Sequence, residues 1–381
     1  MVDVEKKEVV RIREFDEERD VNVVGKLERE CENNIIGTKK EVSIFTNSMG
    51  DPLSRIRFYP LHVMLVGVVR GCIKSVKTVS GSLLKMGSIL GLRVSPTYRR
   101  KGVGLKLVRC VEEWMLKNGA EYSMVATEKN NNASTNLFTL KSNYLSLSSL
   151  LIFMHPIPTT TSSFPHTTKH IKIHKLNTPQ AISFYTTTSK RTHFHLSDMD
   201  LILKDNLTLG TWLCYYKHHH NNSNNWIVFS LWNNTKSRHH HHHRGRREIK
   251  KKMSMFPTCL RARVGDHHAL SRPIGFVFMY GLHGEGDSES LGELMESAWR
   301  FTTRVGGRLK DCKVVVTELG FDDPLAKIVP QTPSMSCIHD LWYVKRVNYN
   351  DNVDEIKDDD EVIMMMKGQA VRNVFVDPRD F

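Results

Sequence analysis

The 381-residue chain is long enough for two or three domains at roughly 100–200 residues each, and its 40% hydrophobic and 25% charged residues exclude global disorder. The longest apolar runs, 61–69 and 150–154, fall short of the roughly 18–20 residues of a membrane-spanning helix; the first 20 residues alternate acidic and basic side chains, which predicts no secretory signal. Seven widely spaced cysteines without a C-x-x-C pair suit reduced thiols, so nucleus or cytoplasm is the expected location. The net charge of +13 is concentrated: eight Lys/Arg between Lys236 and Lys252 face Glu248 alone.

In chain order, 9–15 has strand composition and 19–32 reads as a helix with Val23, Val24, Leu27 and Cys31 on one side. Apolar stretches at 61–69, 71–76 and 89–94 predict strands. No turn dipeptide accompanies Gly67 within 61–76, so the hairpin there is expected to be truncated or fused. A helix follows Gly104, a strand covers 122–127 and a second helix 134–141. The Pro/Thr/Ser-rich stretch 155–168 predicts a linker.

Beyond it the order repeats: strand 170–176, helix 178–189, strands 210–216, 226–232 and 275–280, a glycine loop, helix 291–305, and strands 312–318 and 341–346. Two halves on one plan predict a duplicated α/β fold. The expected division is a first domain over 1–154, a linker over 155–169, a second domain over 170–348 with a low-complexity insertion at 217–255, and an acidic tail over 349–381. The His runs at 218–220 and 239–243 lack Cys or carboxylate partners at fixed spacing, so no metal site is expected. The basic run that follows has no interleaved aromatics, which disfavours direct nucleic-acid binding.

Chemistry concentrates in 89–107, ILGLRVSPTYRRKGVGLKL. A strand ends, Pro96 stops pairing, and Arg99, Arg100, Lys101, Gly102, Val103 and Gly104 lead into a helix. Glycines at 102 and 104 let the amides of residues 100–105, Leu105 included, turn into one concavity at the helix N-terminus. Three cations add charge there, and the result is a pyrophosphate cradle. Leu107 stands where a dinucleotide fold wants a small residue, and Gly-Lys-Ser/Thr is absent.

The order R-x-x-G-x-G after a strand, then Asn131-x-x-Ser134-x-x-Leu137-Phe138, resembles the acetyl-CoA signature of the GCN5-related N-acetyltransferases (GNATs). The strings LGLRVSPTYRRKGVG, EEWMLKNGAEYSMVATEKNNNASTNLFTLK, DPLSRIR, FMYGLHGEG, DLWYVKR and FVDPRDF are similar to the plant hookless-type probable N-acetyltransferases. That resemblance implies tandem GNAT-like sheets with a degenerate second copy, acetyl-CoA as co-substrate, an amine acceptor such as a protein lysine, and a role in hormone-responsive differential growth. It places pantetheine along Leu92–Val94, with Asn131 and Ser134 binding the arm and a strand N–H near Val94 facing the acetyl oxygen. Glu128, ending its strand, is the candidate base. Family members carry a tyrosine proton donor where this chain has Phe138, so Tyr144 is the substitute candidate. In the second half, Glu285 and Asp287 replace the cations and are expected to cap their own helix. A non-catalytic regulatory protein on the same fold is the alternative reading, and a homo-oligomer is compatible with either.

Overall fold

The same succession of elements is laid down twice. The computed structural model describes residues 12–33, 53, 55–65, 67–78, 81–158, 170–188, 194–217, 225–235, 275–347 and 376–381. Its first half runs α1 (Glu17–Asn33), β1 (His62–Leu65), β2 (Val69–Thr78), β3 (Leu83–Leu90), α2 (Val103–Lys117), β4 (Tyr122–Glu128), α3 (Asn132–Ser142) and β5 (Leu145–Pro156). The second runs β6 (Ile171–Leu176), α4 (Thr178–Thr188), β7 (Phe194–Leu196), α5 (Met199–Lys204), β8 (Thr208–Tyr216), β9 (Trp226–Asn233), β10 (Gly275–Glu285), α6 (Ser288–Arg308), β11 (Cys312–Gly320), α7 (Pro324–Lys327) and β12 (Ser336–Arg346).

All twelve strands join one sheet in the order β1-β2-β3-β4-β12-β5-β11-β10-β9-β8-β6, with β7 attached to β2. If β1–β3 are matched with β8–β10, β4 with β11 and β5 with β12, the order reads the same from either end, β6 and β7 aside. Each half therefore lends its last strand to the other. β12 pairs antiparallel with β4 from Arg346↔Tyr122 to Asp340↔Glu128, and β5 pairs with β11 from Val314↔Pro156 to Gly320↔Leu150. Between them β5 and β12 pair with each other, Ser336 opposite Met154 and Val344 opposite Leu145.

Local chemistry explains several differences from the expected elements. Residues 61–76 form an intact hairpin, His62↔Cys72 to Leu65↔Val69, turned at Gly67 with a φ of 141°. A single glycine suffices because it takes the backbone angle that a side chain resists. The strand expected at 89–94 lies at Leu83–Leu90, and the strand expected at 9–15 is, among the described residues, one bridge from Glu14 to Leu65. His155 and Pro156 belong to β5 rather than to a linker; 159–169 lie outside the described residues, as do the His runs, the basic run and 348–375. The second-half glycine loop is strand, because β10 continues to Glu285.

The expected tail departs most. Residues 376–381 are buried on the sheet face where the two halves meet, among Leu150, Ile152, Phe278, Tyr280 and Trp342. Phe381 stacks on Phe278 at 4.3 Å between ring centroids. Lys74 of β2, 3% exposed, places Nζ 2.6 Å from Asp380 Oδ2 and 3.7 Å from Asp377 Oδ2, and Tyr59 donates to Asp380 Oδ1 at 2.6 Å. Arg379 pairs with Asp377 and, at 2.7 Å, with Asp198, so one short segment ties both halves together. Burial works against the charge of Asp377, yet Lys74 and Arg379 hold it down to about 2. Glu318 on β11 shares this face; burial, then Asp340 and Asp380, raise its pKa well above the usual carboxylate range, with Arg55 and Lys74 opposing.

Two outcomes follow. Lys74→Met leaves Asp380 buried without its cation, while Asp377 keeps Arg379, and is expected to cost about 3–5 kcal/mol, read as a lowered midpoint in urea unfolding. Glu318→Gln has the opposite sign at neutral pH. A carboxyl whose folded pKa is raised destabilises the fold once pH exceeds the unfolded value of about 4.3. The Gln variant should therefore melt higher than wild type by roughly 2 °C or more at pH 8, with the gap closing near pH 4.

Candidate active site

Two neighbouring strands part company at one point, and the candidate site is built around that fork. β3 and β4 run parallel and pair from Met86↔Tyr122 to Ile89↔Val125. Beyond Val125, β4 keeps its pairing with β12 through Glu128, while β3 veers away. The cause is a bulge. Arg70 lies opposite Leu90, but the next reciprocal pair joins Val68 to Arg93 at 2.8 and 2.7 Å, one extra residue on the β3 side. Gly91, at φ 59°, absorbs the extra residue.

The bulge decides which way the main chain points. Arg93 directs its N–H and C=O toward Val68, so by strand alternation Leu92 and Val94 direct theirs toward the fork. Among the described residues nothing accepts from the N–H of Leu92 or Val94. Their carbonyls are engaged by side chains, Val94 by Arg99 Nε at 3.2 Å and Cys31 Sγ at 3.4 Å, and Leu92 by the guanidinium of Arg93 at 3.2 Å.

The chain then makes a 3₁₀ turn over Pro96–Tyr98 and enters α2. Arg100 (φ 63°) and Gly102 (φ 78°) are left-handed with Lys101 between them, an alternation that aims successive N–H groups at one point. No side chain caps α2, so the first-turn amides of Val103, Gly104 and Leu105 have no partner within the helix. Arg99, Arg100 and Lys101 are exposed around it, Lys101 Nζ 5.2 Å above the Tyr98 ring. Buried Val103, Leu107, Val108, Val111 and Met115 fix the helix against the sheet. A Cβ built on Gly102 meets nothing within 4 Å, and one on Gly104 makes ordinary contacts with Leu137 and Val94 at 3.5 and 3.8 Å. Free amides, a helix dipole, three cations and open space fit a diphosphate.

The other candidates separate. Asn131 caps α3, its Oδ1 accepting from Ser134 N at 3.1 Å, which ties the two residues together at that helix end. Asn143 takes the left-handed conformation that closes α3. Tyr144 does not suit proton donation to a leaving group. It is 3% exposed, packs edge-on against Phe138 and shares a 2.7 Å hydrogen bond with Ser123; burial, then the Glu112 charge, push its pKa well above the usual phenol value. Glu128 is half-buried at the end of β4, opposite Asp340.

Three groups near the fork escaped sequence reading. Ser88 Oγ, Asp340 Oδ1 and Trp342 Nε1 are buried polar atoms without a hydrogen-bond partner among the described residues. The only sequence signal was the DLWYVKR string, whose resemblance said nothing about an opposing strand.

In the second half the same fork exists without its cradle. Gly281 (φ 62°) sits at a matching bulge, where Tyr280↔Ser230 is followed by His283↔Val228. There Asp287 caps α6, accepting from Ser290 N at 2.9 Å, and Asn225 donates to its other oxygen at 3.0 Å. The Tyr185 ring closes on Gly281, whose Cβ would come within 2.6 Å of the hydroxyl. A cavity of about 190 Å³ lies between α4, β7 and β10, lined by Lys77, Tyr185, His195 and His283. It includes no residue of the first-half fork. Among the described residues no helix is long and apolar enough to cross a membrane.

Comparison with known proteins agrees with this geometry. Residues 40–142 match the model of the Acetyltransferase (GNAT) family. The chain is 32% identical to "Probable N-acetyltransferase HLS1-like" of Arabidopsis thaliana, covering 98% of this chain and 99% of the relative, and 30% identical to "Acetyl transferase GW6a" of Oryza sativa subsp. japonica, covering 98% of each. A GCN5-related N-acetyltransferase of Sphaerobacter thermophilus shares the fold, with a TM-score of 0.50 at 11% identity over 89% of this chain and 96% of its own. A bulged strand fork beside an uncapped helix, repeated in a degenerate second copy, and near-full-length identity above 30% together place the chain in the hookless-type branch of the GNAT acetyltransferases.

Proposed function

We propose that the chain transfers an acetyl group from acetyl-CoA to an amine, with a protein lysine as the acceptor class, and that only the first half holds the donor. The observation that carries this reading is the uncapped start of α2 standing beside the amides of Leu92 and Val94, which donate to nothing among the described residues. The amides of residues 102–105, with Arg100 and Lys101, would hold the diphosphate. Leu92 would fix the pantetheine arm, and the N–H of Val94 would face the acetyl oxygen, where negative charge develops during transfer. The donor supplies an acyl group on a thioester; the protein supplies orientation and a route for protons. An amine of lysine type, with a pKa of about 10.4, must lose a proton before it can attack.

The capped α6 and the Tyr185-filled second fork support one donor site per chain. Kinship with hookless-type proteins supports a regulatory role in hormone-responsive differential growth, exercised in nucleus or cytoplasm.

Titration calorimetry and thermal shift test the donor assignment. At a hundredfold excess over its dissociation constant, acetyl-CoA should stabilise the protein by about 2.7 kcal/mol. Gly104→Glu puts a carboxylate in front of the helix and should abolish both signals without lowering the melting point of the free protein by more than a few degrees. No shift in wild type would favour the non-catalytic reading of the same fold.

A further inference from the structure

Ser88, Trp342 and Asp340 share more than a missing partner. Buried polar atoms without partners are rare in native folds, and here Ser88 is 2% and Trp342 6% exposed. Register puts all three on one face. Ser88 lies opposite Met124, Met124 opposite Val344, Ala126 opposite Trp342, and Glu128 opposite Asp340. That face is the one lined by Leu150, Ile152, Phe278 and Ile338, where the halves meet. Ala126 is the first residue of β4 beyond its last pair with β3, so Trp342 flanks the mouth of the fork. Asp340 is two residues farther, about 7 Å along the strand.

The charges around this spot favour a cation. Glu128 faces Asp340 across the strands, Glu318 comes from β11, and Asp380 comes from the docked segment 376–381. Arg55, from the 55–58 turn, and Lys74, from β2, are positive groups of the same cluster, and Arg70 and Arg93 are close enough to Arg55 to oppose its charge. Lys74 is committed to Asp380 and Asp377, and Arg55 Nε donates to the Asp380 carbonyl at 2.5 Å. Among the described residues Asp340 Oδ1 is left as an unpaired acceptor beside the fork, and Trp342 Nε1 as an unpaired donor.

On the acetyl-transfer reading above, we propose that Asp340 is the catalytic base, taking the proton of an acceptor ammonium bound between its carboxylate and the fork. The ammonium gives one proton to Asp340. The freed nitrogen lone pair forms the C–N bond at the thioester carbonyl, the C–S bond breaks, and CoA leaves as the thiolate. The second proton, from the nitrogen now bonded to carbon, goes to that sulfur, and Asp340 returns its own to solvent. Trp342 offers its indole N–H to an oxygen of the reacting pair. Burial pushes Asp340 up to about 6 against the pull of Arg55, so it is ionised yet basic near neutral pH. Glu128 stands opposite at the open end of β4, half-buried.

The test uses the full chain, acetyl-CoA and two probe amines: n-butylamine, and hydroxylamine, a far weaker base that is largely neutral at working pH without help. Asp340→Asn should bind acetyl-CoA as wild type does in calorimetry. It should lose about 10²–10³-fold in kcat/KM with n-butylamine but less than about tenfold with hydroxylamine. It should also lose the acid limb of the pH–rate profile, which in wild type falls away below about 6. Asp340→Glu, which keeps the carboxylate, should recover part of the n-butylamine rate, as a merely structural role would not. Equal losses on both amines, no turnover of either amine by a wild type that binds acetyl-CoA, or an acid limb that persists in Asp340→Asn and vanishes in Glu128→Gln would each overturn the assignment and leave donor binding standing. A wild type that binds no acetyl-CoA would overturn the donor reading, and this one with it.

Discussion

The exchange of β5 and β12 is the constraint on which the rest of the architecture depends. Each is the last strand of its half, and each satisfies its main-chain groups on strands of the other half as well as on its exchanged partner. Neither half could keep this arrangement alone, because β4 would lose the neighbour that holds it straight where β3 turns away. The fork is thus a cooperative product: the bulge at Gly91 bends one strand, and β12, from the far end of the sequence, keeps the other in place.

The same exchange builds the face between the halves. Strands from both deliver carboxylates there, and segment 376–381 closes over them with Arg379, Asp380 and Phe381. Low polarity makes each unpaired charge expensive, so the cations are committed: Lys74 to Asp377 and Asp380, Arg379 to Asp377 and Asp198. What is left over is Glu318 and Asp340, with Arg55 opposing both. Burial raises the pKa of both carboxyls for the same reason.

Duplication also sets two helix starts side by side. Both halves have the bulge, the parallel strand pair and the crossover helix. They differ in how the helix begins. In α6 the Asp287 carboxylate takes the Ser290 amide of the first turn, whereas in α2 a pair of left-handed residues leaves the first turn without a side-chain cap beneath three cations. The fold is shared by both copies; the difference lies in a few residues at one helix end.

By itself the sequence determined the local features. Hydrophobic spacing gave the helices over 103–117 and 288–308 to within a few residues, the glycine-and-cation run marked the uncapped start of the first of them, and Asp287 announced a self-capped second copy, because helix periodicity and capping depend on neighbours in the chain. The strand at 145–156 went unread, since a buried central strand carries no alternating pattern and borders a Pro/Thr/Ser stretch. The burial of 376–381 was hidden for a related reason: a short charged segment looks solvated until partners from residues 55–74 and 198 are brought to it. Tertiary structure alone decided that Tyr144 is a core residue and that Asp340 lies beside the fork, because strand exchange joins residues more than 200 positions apart, and no periodicity along the chain encodes which strand will lie opposite which.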